Sequence, residues 1–204
     1  MIEETYSEIE ITEDDFGLLV AEGRIRDIAD ELEELHYRSG SHFIWQLKVI
    51  TSHPSFYPIK SEDNIYTTGG ESGEDYENLL NAARKAVEHG YRVFILPNPK
   101  GIRTADFIFE RKGVYKLFDL KTISGKSSVG NRLLESIGQS NRVLLNLPTG
   151  YNTRLLAADI KTYFELNDAA LEVMILKGGK LLSIDRNDAL HSSYYRIIKK
   201  RFEK

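Results

Sequence analysis

Three charged residues lie inside segments that otherwise read as core strand: Asp106 in "ADFIFE", and the triplet Asp119-Leu120-Lys121 in "VYKLFDLKT". Side chains alternate across a strand, so Asp119 and Lys121 share one face while Phe118 and Leu120 share the other. An unpaired charge buried in a sheet is costly, so such residues stay near a strand end, pair with each other, or hold a ligand. Asp106, at the start of the adjacent strand, can reach the same spot. Two carboxylates held close together repel unless a cation lies between them, and Mg²⁺ or Mn²⁺ is held by one or two carboxylates plus substrate phosphate and water. A lysine beside that ion orients or deprotonates an attacking water and stabilises charge developing on phosphorus. The chemistry implied is phosphodiester hydrolysis, with Asp106 and Asp119 as metal ligands and Lys121 at the water. The plainer alternative stays open: Asp-x-Lys on a strand is also a common ion pair with no ligand.

The elements that must position these residues follow from pattern. Thr12 with Asp15 looks like a capping box, and Phe16, Leu19, Val20, Ile25, Ile28, Ala29, Leu32 and Leu35 recur at helical spacing, predicting an N-terminal amphipathic helix that ends by Gly40. "HFIWQLKVIT" (42–51) reads as a strand by its β-branched and aromatic content, with helix as the alternative. Residues 52–73, rich in Pro, Ser, Gly, Asn and Tyr, read as a long loop, which places a boundary near residue 70. The expected organisation is a helical extension over 1–70 and an α/β domain over 71–204.

Within that domain, "EDYENLLNAARKAVEHG" (74–90) presents Leu79, Leu80, Ala83, Ala86 and Val87 on one face and predicts a helix stopping at Gly90. "YRVFILP", "ADFIFE" and "VYKLFDLKT" predict strands, the last two joined by a tight turn at "RKG". A short helix over 131–139 and the strand "NRVLLNLP" complete an αβββαβ order. Beyond it come a helix in "RLLAADIKTYFELN", a hairpin turning at Gly178–Gly179, and a closing helix in "DALHSSYYRIIKKRF". The fold class expected is α/β or α+β, a mixed central sheet flanked by helices.

Helix, strand, strand with Asp, strand with (Asp/Glu)-x-Lys, helix, strand resembles the restriction-endonuclease-like, or PD-(D/E)xK, nucleases. The resemblance implies catalytic roles for Asp106, Asp119 and Lys121. Glu77 sits where those families often carry a helix glutamate, and Gln139 where they often carry a polar residue facing the site. Two departures are visible: Ala105 replaces the proline of the pattern, and the second acid is Asp rather than Glu. Residues 74–150 also resemble the C-terminal toxin domains of contact-dependent inhibition proteins and phage-head-associated toxins. Some of these are grouped with barnase-EndoU-colicin-RelE-like ribonucleases, which cleave RNA without metal. That resemblance implies an immunity or inhibitor protein as partner and action in the cytoplasm, or delivery into a target cell.

Other candidates weigh less. "SGKSS" lacks the first glycine of a Walker loop, because position 120 is leucine, although Lys126 in that loop can touch a phosphate backbone. The five histidines show no metal-ligand spacing. His191, with Tyr194, Tyr195 and Arg196, is the group a metal-free ribonuclease would need as general acid and base. Arg196, Lys199 and Lys200 in the basic terminus are expected to bind substrate phosphates, or else form the wet face of an amphipathic helix.

Composition sets the bounds. The chain has 204 residues, 41% of them hydrophobic, and so can bury a real core in one or two domains. It has no cysteine, so thiolate metal sites and disulfides are excluded. No apolar run approaches the roughly 20 residues a membrane helix needs. A net charge of −4 argues against non-specific wrapping of nucleic acid, yet an acidic first 35 residues and a basic terminus make the charge uneven. The acidic segment is expected to lie on the far side from a phosphate site. The functions left open are a nuclease for DNA or RNA that uses Mg²⁺ or Mn²⁺, a metal-independent toxin ribonuclease, and a non-catalytic binding domain.

Overall fold

A computed structural model describes residues 26–70, 73–124, 128–138 and 140–203. Its centre is one mixed sheet of eight strands in sequential order: β1 (Tyr57–Pro58), β2 (Ile65–Thr67), β3 (Arg92–Ile95), β4 (Phe107–Arg111), β5 (Val114–Thr122), β6 (Arg142–Leu147), β7 (Glu172–Lys177) and β8 (Lys180–Asp185). β2 runs parallel to β3, β5 to β6 and β6 to β7, while the remaining neighbours are antiparallel. Each parallel pair needs a crossover, and each gets a helix. These are α3 (Glu74–Glu88) between β2 and β3, α4 (Val129–Glu135) between β5 and β6, and α5 (Thr153–Leu166) between β6 and β7. The remaining helices are α1 (Ile28–Glu34) and α2 (Gly40–Thr51) before the sheet, and α6 (Arg186–Leu190) and α7 (Tyr194–Phe202) after it. The expected mixed sheet with its αβββαβ core is the fold observed.

Two turns fix register where the antiparallel strands meet. Lys112 and Gly113 both adopt positive φ (54° and 77°) between Arg111 and Val114, the conformation that lets a two-residue turn follow strand twist. Glu110 steadies this turn by accepting the Gly113 N–H at 2.7 Å. Gly178 and Gly179, at φ 55° and 71°, do the same for β7 and β8.

The register sorts the side chains onto two faces. Phe107, Phe109, Phe118, Leu144, Met174 and Leu176 form one core with Leu80, Ala83 and Ala86 of α3. On the opposite face, Phe94, Ile108 and Leu117 pack under Leu32 of α1 and Leu47 and Ile50 of α2. Farther along that face Val143, Leu145, Val173 and Ile175 pack under α4, α5 and α7. Two helical groups therefore divide this face, and β5 runs beneath the seam between them.

Four expectations change. Residues 42–51 are helical, not strand: Phe43, Ile44, Leu47 and Ile50 recur at helical spacing and all pack toward the same core. The loop expected over 52–73 contains β1 and β2, and Ile65, Tyr66 and Thr67 pair in register with Val93, Phe94 and Ile95. Three residues are too few to show a period among turn-forming neighbours, and β2 and β3 join the same sheet from either side of residue 70. The closing helix is two helices, separated where His191 accepts the Ser193 N–H through Nδ1 and the Tyr194 N–H through its carbonyl. The acidic segment is not wholly remote either: its described part, α1, packs on the sheet face that also carries Asp119. The helix start expected at Thr12 lies outside the described residues.

Candidate functional site

Asp119 and Lys121 project from the carboxyl-terminal half of β5, on the face where the helical groups meet. In the register that pairs Phe107 with Phe118, Asp106 stands opposite Asp119 across β4 and β5 and shares its face. The Asp106 N–H donates to the Phe118 carbonyl at 3.0 Å, and Asp106 Oδ2 accepts the Leu120 N–H at 2.6 Å. This bond ties the side chain of one strand to the backbone of the next, so Asp106 is held by the sheet itself.

Lys121 Nζ lies 2.8 Å from Asp119 Oδ2. That oxygen is enclosed and makes no well-directed hydrogen bond, so the contact is an ion pair rather than an aligned N–H···O bond. Asp119 is 3% exposed, and burial pushes its carboxyl above the usual aspartate range. The Lys121 ammonium opposes that push, as do a hydrogen bond with the Asp106 carboxyl and the charge of Arg103.

The three residues predicted to act together are thus brought together. Val143 and Leu145, the β6 neighbours of Asp119 and Lys121, wall the site with apolar surface, and Tyr163 of α5 lies near enough for the Asp119 charge to raise its phenol along with burial. Tyr163 and Arg103 were not singled out by the sequence. Arg103 lies three residues before Asp106 in a turn-rich loop, and Tyr163 is one of several buried positions on an amphipathic helix, so no local pattern marks either.

The other predicted residues are placed elsewhere. Glu77 is exposed in the first turn of α3, on the opposite face of the sheet, where its charge is felt by Arg84. Lys126 and Gln139 lie outside the described residues. Arg196, Lys199 and Lys200 point outward from α7, whose Tyr194, Ile198 and Phe202 face the core. That helix covers β8, three strands from β5, or roughly 14 Å across the sheet. A groove beside it is lined by Lys180, Leu182, Ile197, Lys200 and Arg201. His191 is exposed and its Nδ1 contacts Ser193 Oγ at 2.8 Å, while the Tyr194 hydroxyl is buried and its ionisation strongly suppressed by that burial. These two groups do not form a joint acid–base pair.

Among the described residues no cluster of three His, Asp or Glu side chains is placed to hold a metal. Two carboxylates do not make a zinc-type site, which takes three or four protein ligands. They do suit Mg²⁺ or Mn²⁺, which retain water and complete their shells with substrate oxygens. Among the described residues no helix is long and apolar enough to cross a membrane.

No protein-family model matches this sequence, and no curated protein matches it. A similar solved structure is the CdiA-CT/CdiI toxin and immunity complex from Burkholderia pseudomallei, at 17% identity and a TM-score of 0.39 over 57% of this chain and 92% of that one. A TM-score of that size establishes neither a shared fold nor a shared activity.

Proposed function

We propose that this chain is a nuclease that hydrolyses phosphodiester bonds of DNA or RNA, with Mg²⁺ or Mn²⁺ held by Asp106 and Asp119. The observation that carries this reading is the juxtaposition of two opposed carboxylates and the Lys121 ammonium at one strand end. When bound, the ion would polarise the phosphate and activate water. Asp106 is oriented by the Leu120 N–H, Asp119 is held in an apolar wall, and Lys121 offers a donor to charge developing on phosphorus. Arg196, Lys199 and Lys200 supply a basic surface on the same side of the sheet for neighbouring phosphates. The resemblance of residues 74–150 to contact-dependent inhibition toxin domains supports a delivered effector, restrained by an immunity or inhibitor protein and acting in the cytoplasm of its target.

One observation favours a second reading. Asp119 is almost wholly enclosed and already faces a cation, so Asp119 and Lys121 also fit a structural ion pair in a non-catalytic binding domain.

The test is direct. Purified protein and a Lys121→Ala variant are incubated with plasmid DNA and with total RNA, each with Mg²⁺ and with EDTA. Cleavage that needs both Mg²⁺ and Lys121 is the expected result. Folded protein with no cleavage in any arm selects the binding-domain reading.

A further inference from the structure

On the α3 face of the sheet, away from Asp119, a chain of hydrogen bonds links Lys85, Asn146 and Asn81. Lys85 Nζ donates to Asn146 Oδ1 at 2.7 Å, and Asn146 Nδ2 donates to Asn81 Oδ1 at 3.2 Å. The direction of the chain is forced. An ammonium only donates, so Asn146 must turn its oxygen to Lys85 and its amide N–H₂ to Asn81, and Asn81 must then answer with its own oxygen. Each side-chain oxygen already accepts one bond within the chain. The donors not used in it are further N–H groups of Lys85, one of Asn146 and both of Asn81.

The positions make this group reachable. Asn146 is buried near the end of β6, Lys85 is half-buried on α3, and Asn81, one turn earlier on α3, is exposed. Thr122, the β5 neighbour of Asn146, shares this face, and its enclosed hydroxyl has no partner. Among the described residues no carboxylate oxygen comes within 4 Å of Lys85 Nζ. Burial lowers the pKa of the Lys85 ammonium, and the Glu88 carboxylate opposes this. Glu77, one turn before Asn81, and Glu74, two turns before it, are the other carboxylates along this stripe of the helix. A partly buried cation whose hydrogen-bond partner is a neutral amide is matched by an acceptor-rich anion.

We propose that Lys85, Asn81 and Asn146 form a phosphate-binding site on the α3 face, distinct from the carboxylate pair across β5. The group it takes is a phosphate oxyanion, either free or in a nucleic-acid backbone. The site does not depend on catalysis, because none of its residues touches Asp106, Asp119 or Lys121.

The discriminating variant is Asn81→Asp. A carboxylate at 81 still accepts the Asn146 N–H, so the chain of bonds and the fold are retained, while two outward donors become a negative charge. Full-length protein carrying ¹³C-labelled lysine is titrated with inorganic phosphate and, separately and in a Lys121→Ala background that prevents cleavage, with a 12-nucleotide single-stranded RNA. The Lys85 signal is assigned by its loss in Lys85→Met. Phosphate should shift the Lys85 signal saturably, and Asn81→Asp should weaken that binding about tenfold or more, as expected for losing charge-assisted bonds. A shift with RNA as well as phosphate identifies a backbone site, and a shift with phosphate alone identifies a site for the free ion. A Lys85 signal unmoved by both ligands, or moved equally in wild type and Asn81→Asp, overturns the proposal. Failure of the cleavage assay above would not affect this readout.

Discussion

Asp106 reaches across from β4 to accept the β5 N–H of Leu120 at 2.6 Å, and in doing so sets its carboxyl against that of Asp119 on the next strand. The sheet ladder therefore fixes the spacing of the two acids, and no loop has to order before they meet. A ligand that binds between them pays little conformational entropy.

The first prediction concerns that ligand. Calorimetric titration with Mg²⁺ or Mn²⁺ should give a saturable heat for the wild type and a much weaker one for Asp119→Ala, because the variant loses one of the two protein carboxylates that would hold the ion. Equal, negligible heats for both folded proteins would remove the metal from the site.

The second concerns pH. The Asp119 carboxyl is held above the usual aspartate range, chiefly by burial. A carboxyl with a raised folded pKa contributes its stability fully below the unfolded value and loses it as pH rises through the folded one. Compared with Asp119→Asn, the metal-free wild type should therefore lose ground as pH rises above about 4, the unfolded carboxyl's range. Urea midpoints across that rise measure it. A wild type that gains relative stability as pH rises would mean that Lys121 dominates and the carboxyl is depressed instead.

The third concerns a buried charge cluster outside the site. Glu172 is enclosed on the α3 face and accepts from Lys116 at 2.8 Å, Arg142 at 3.2 Å and the Ser183 hydroxyl, joining β5, β6, β7 and β8. Glu172→Leu would leave two partly buried cations facing each other. The expected loss is about 3 kcal/mol or more in denaturant unfolding, since stripping one partner leaves uncompensated charge. A loss below about 1 kcal/mol would show the network to be solvated.

The fourth concerns the open edge of the sheet. Arg201 forks onto the Leu181 carbonyl of β8 with Nε at 3.0 Å and Nη2 at 2.8 Å. Edge carbonyls are templates for pairing with other chains, and a charged cover blocks them. Arg201→Ala should cost about 1 kcal/mol and promote self-association visible by sedimentation velocity. A variant that stays as monodisperse as wild type would leave Arg201 with no guarding role.

Much of this architecture was legible because patterns were long. The helix over 74–88 and the strands over 92–95, 107–111 and 114–122 each carried enough residues to show their period. The helix over 40–51 misled because its apolar residues run together, and continuous hydrophobicity does not separate a buried strand from a helix. The strand over 65–67 was hidden by its brevity. For the site, alternation along one strand was enough to place Asp119 beside Lys121, and the hairpin turn then placed Asp106. Alternation also decides faces, but only once register is known, so Glu77 could not be seen from sequence to lie across the sheet. Arg103 and Tyr163 approach Asp119 only through tertiary packing, which no local pattern records. The bonds among Lys85, Asn146 and Asn81 span more than 60 residues and were equally invisible.

The last prediction separates the two nuclease chemistries. Metal-free RNA cleavage attacks with the ribose 2′-hydroxyl, needs a general base and acid in one cleft, and leaves 2′,3′-cyclic phosphate ends. Here the one histidine considered for that role, His191, is exposed and engaged with Ser193, and the neighbouring Tyr194 hydroxyl is buried with its ionisation suppressed. The groups that act on the Asp119 carboxyl are Lys121, Asp106 and Arg103 instead, and its enclosed carboxyl and adjacent ammonium suit a hydrated cation and a phosphate better than a proton shuttle. Digestion of a defined RNA should therefore yield ends free of cyclic phosphate, His191→Ala should retain activity within about twofold, and Asp119→Asn should lose at least about a hundredfold. Product ends are read by mass spectrometry and rates by gel. Cyclic phosphate ends, activity that survives EDTA, and a collapse in His191→Ala would together transfer the chemistry from β5 to the start of α7.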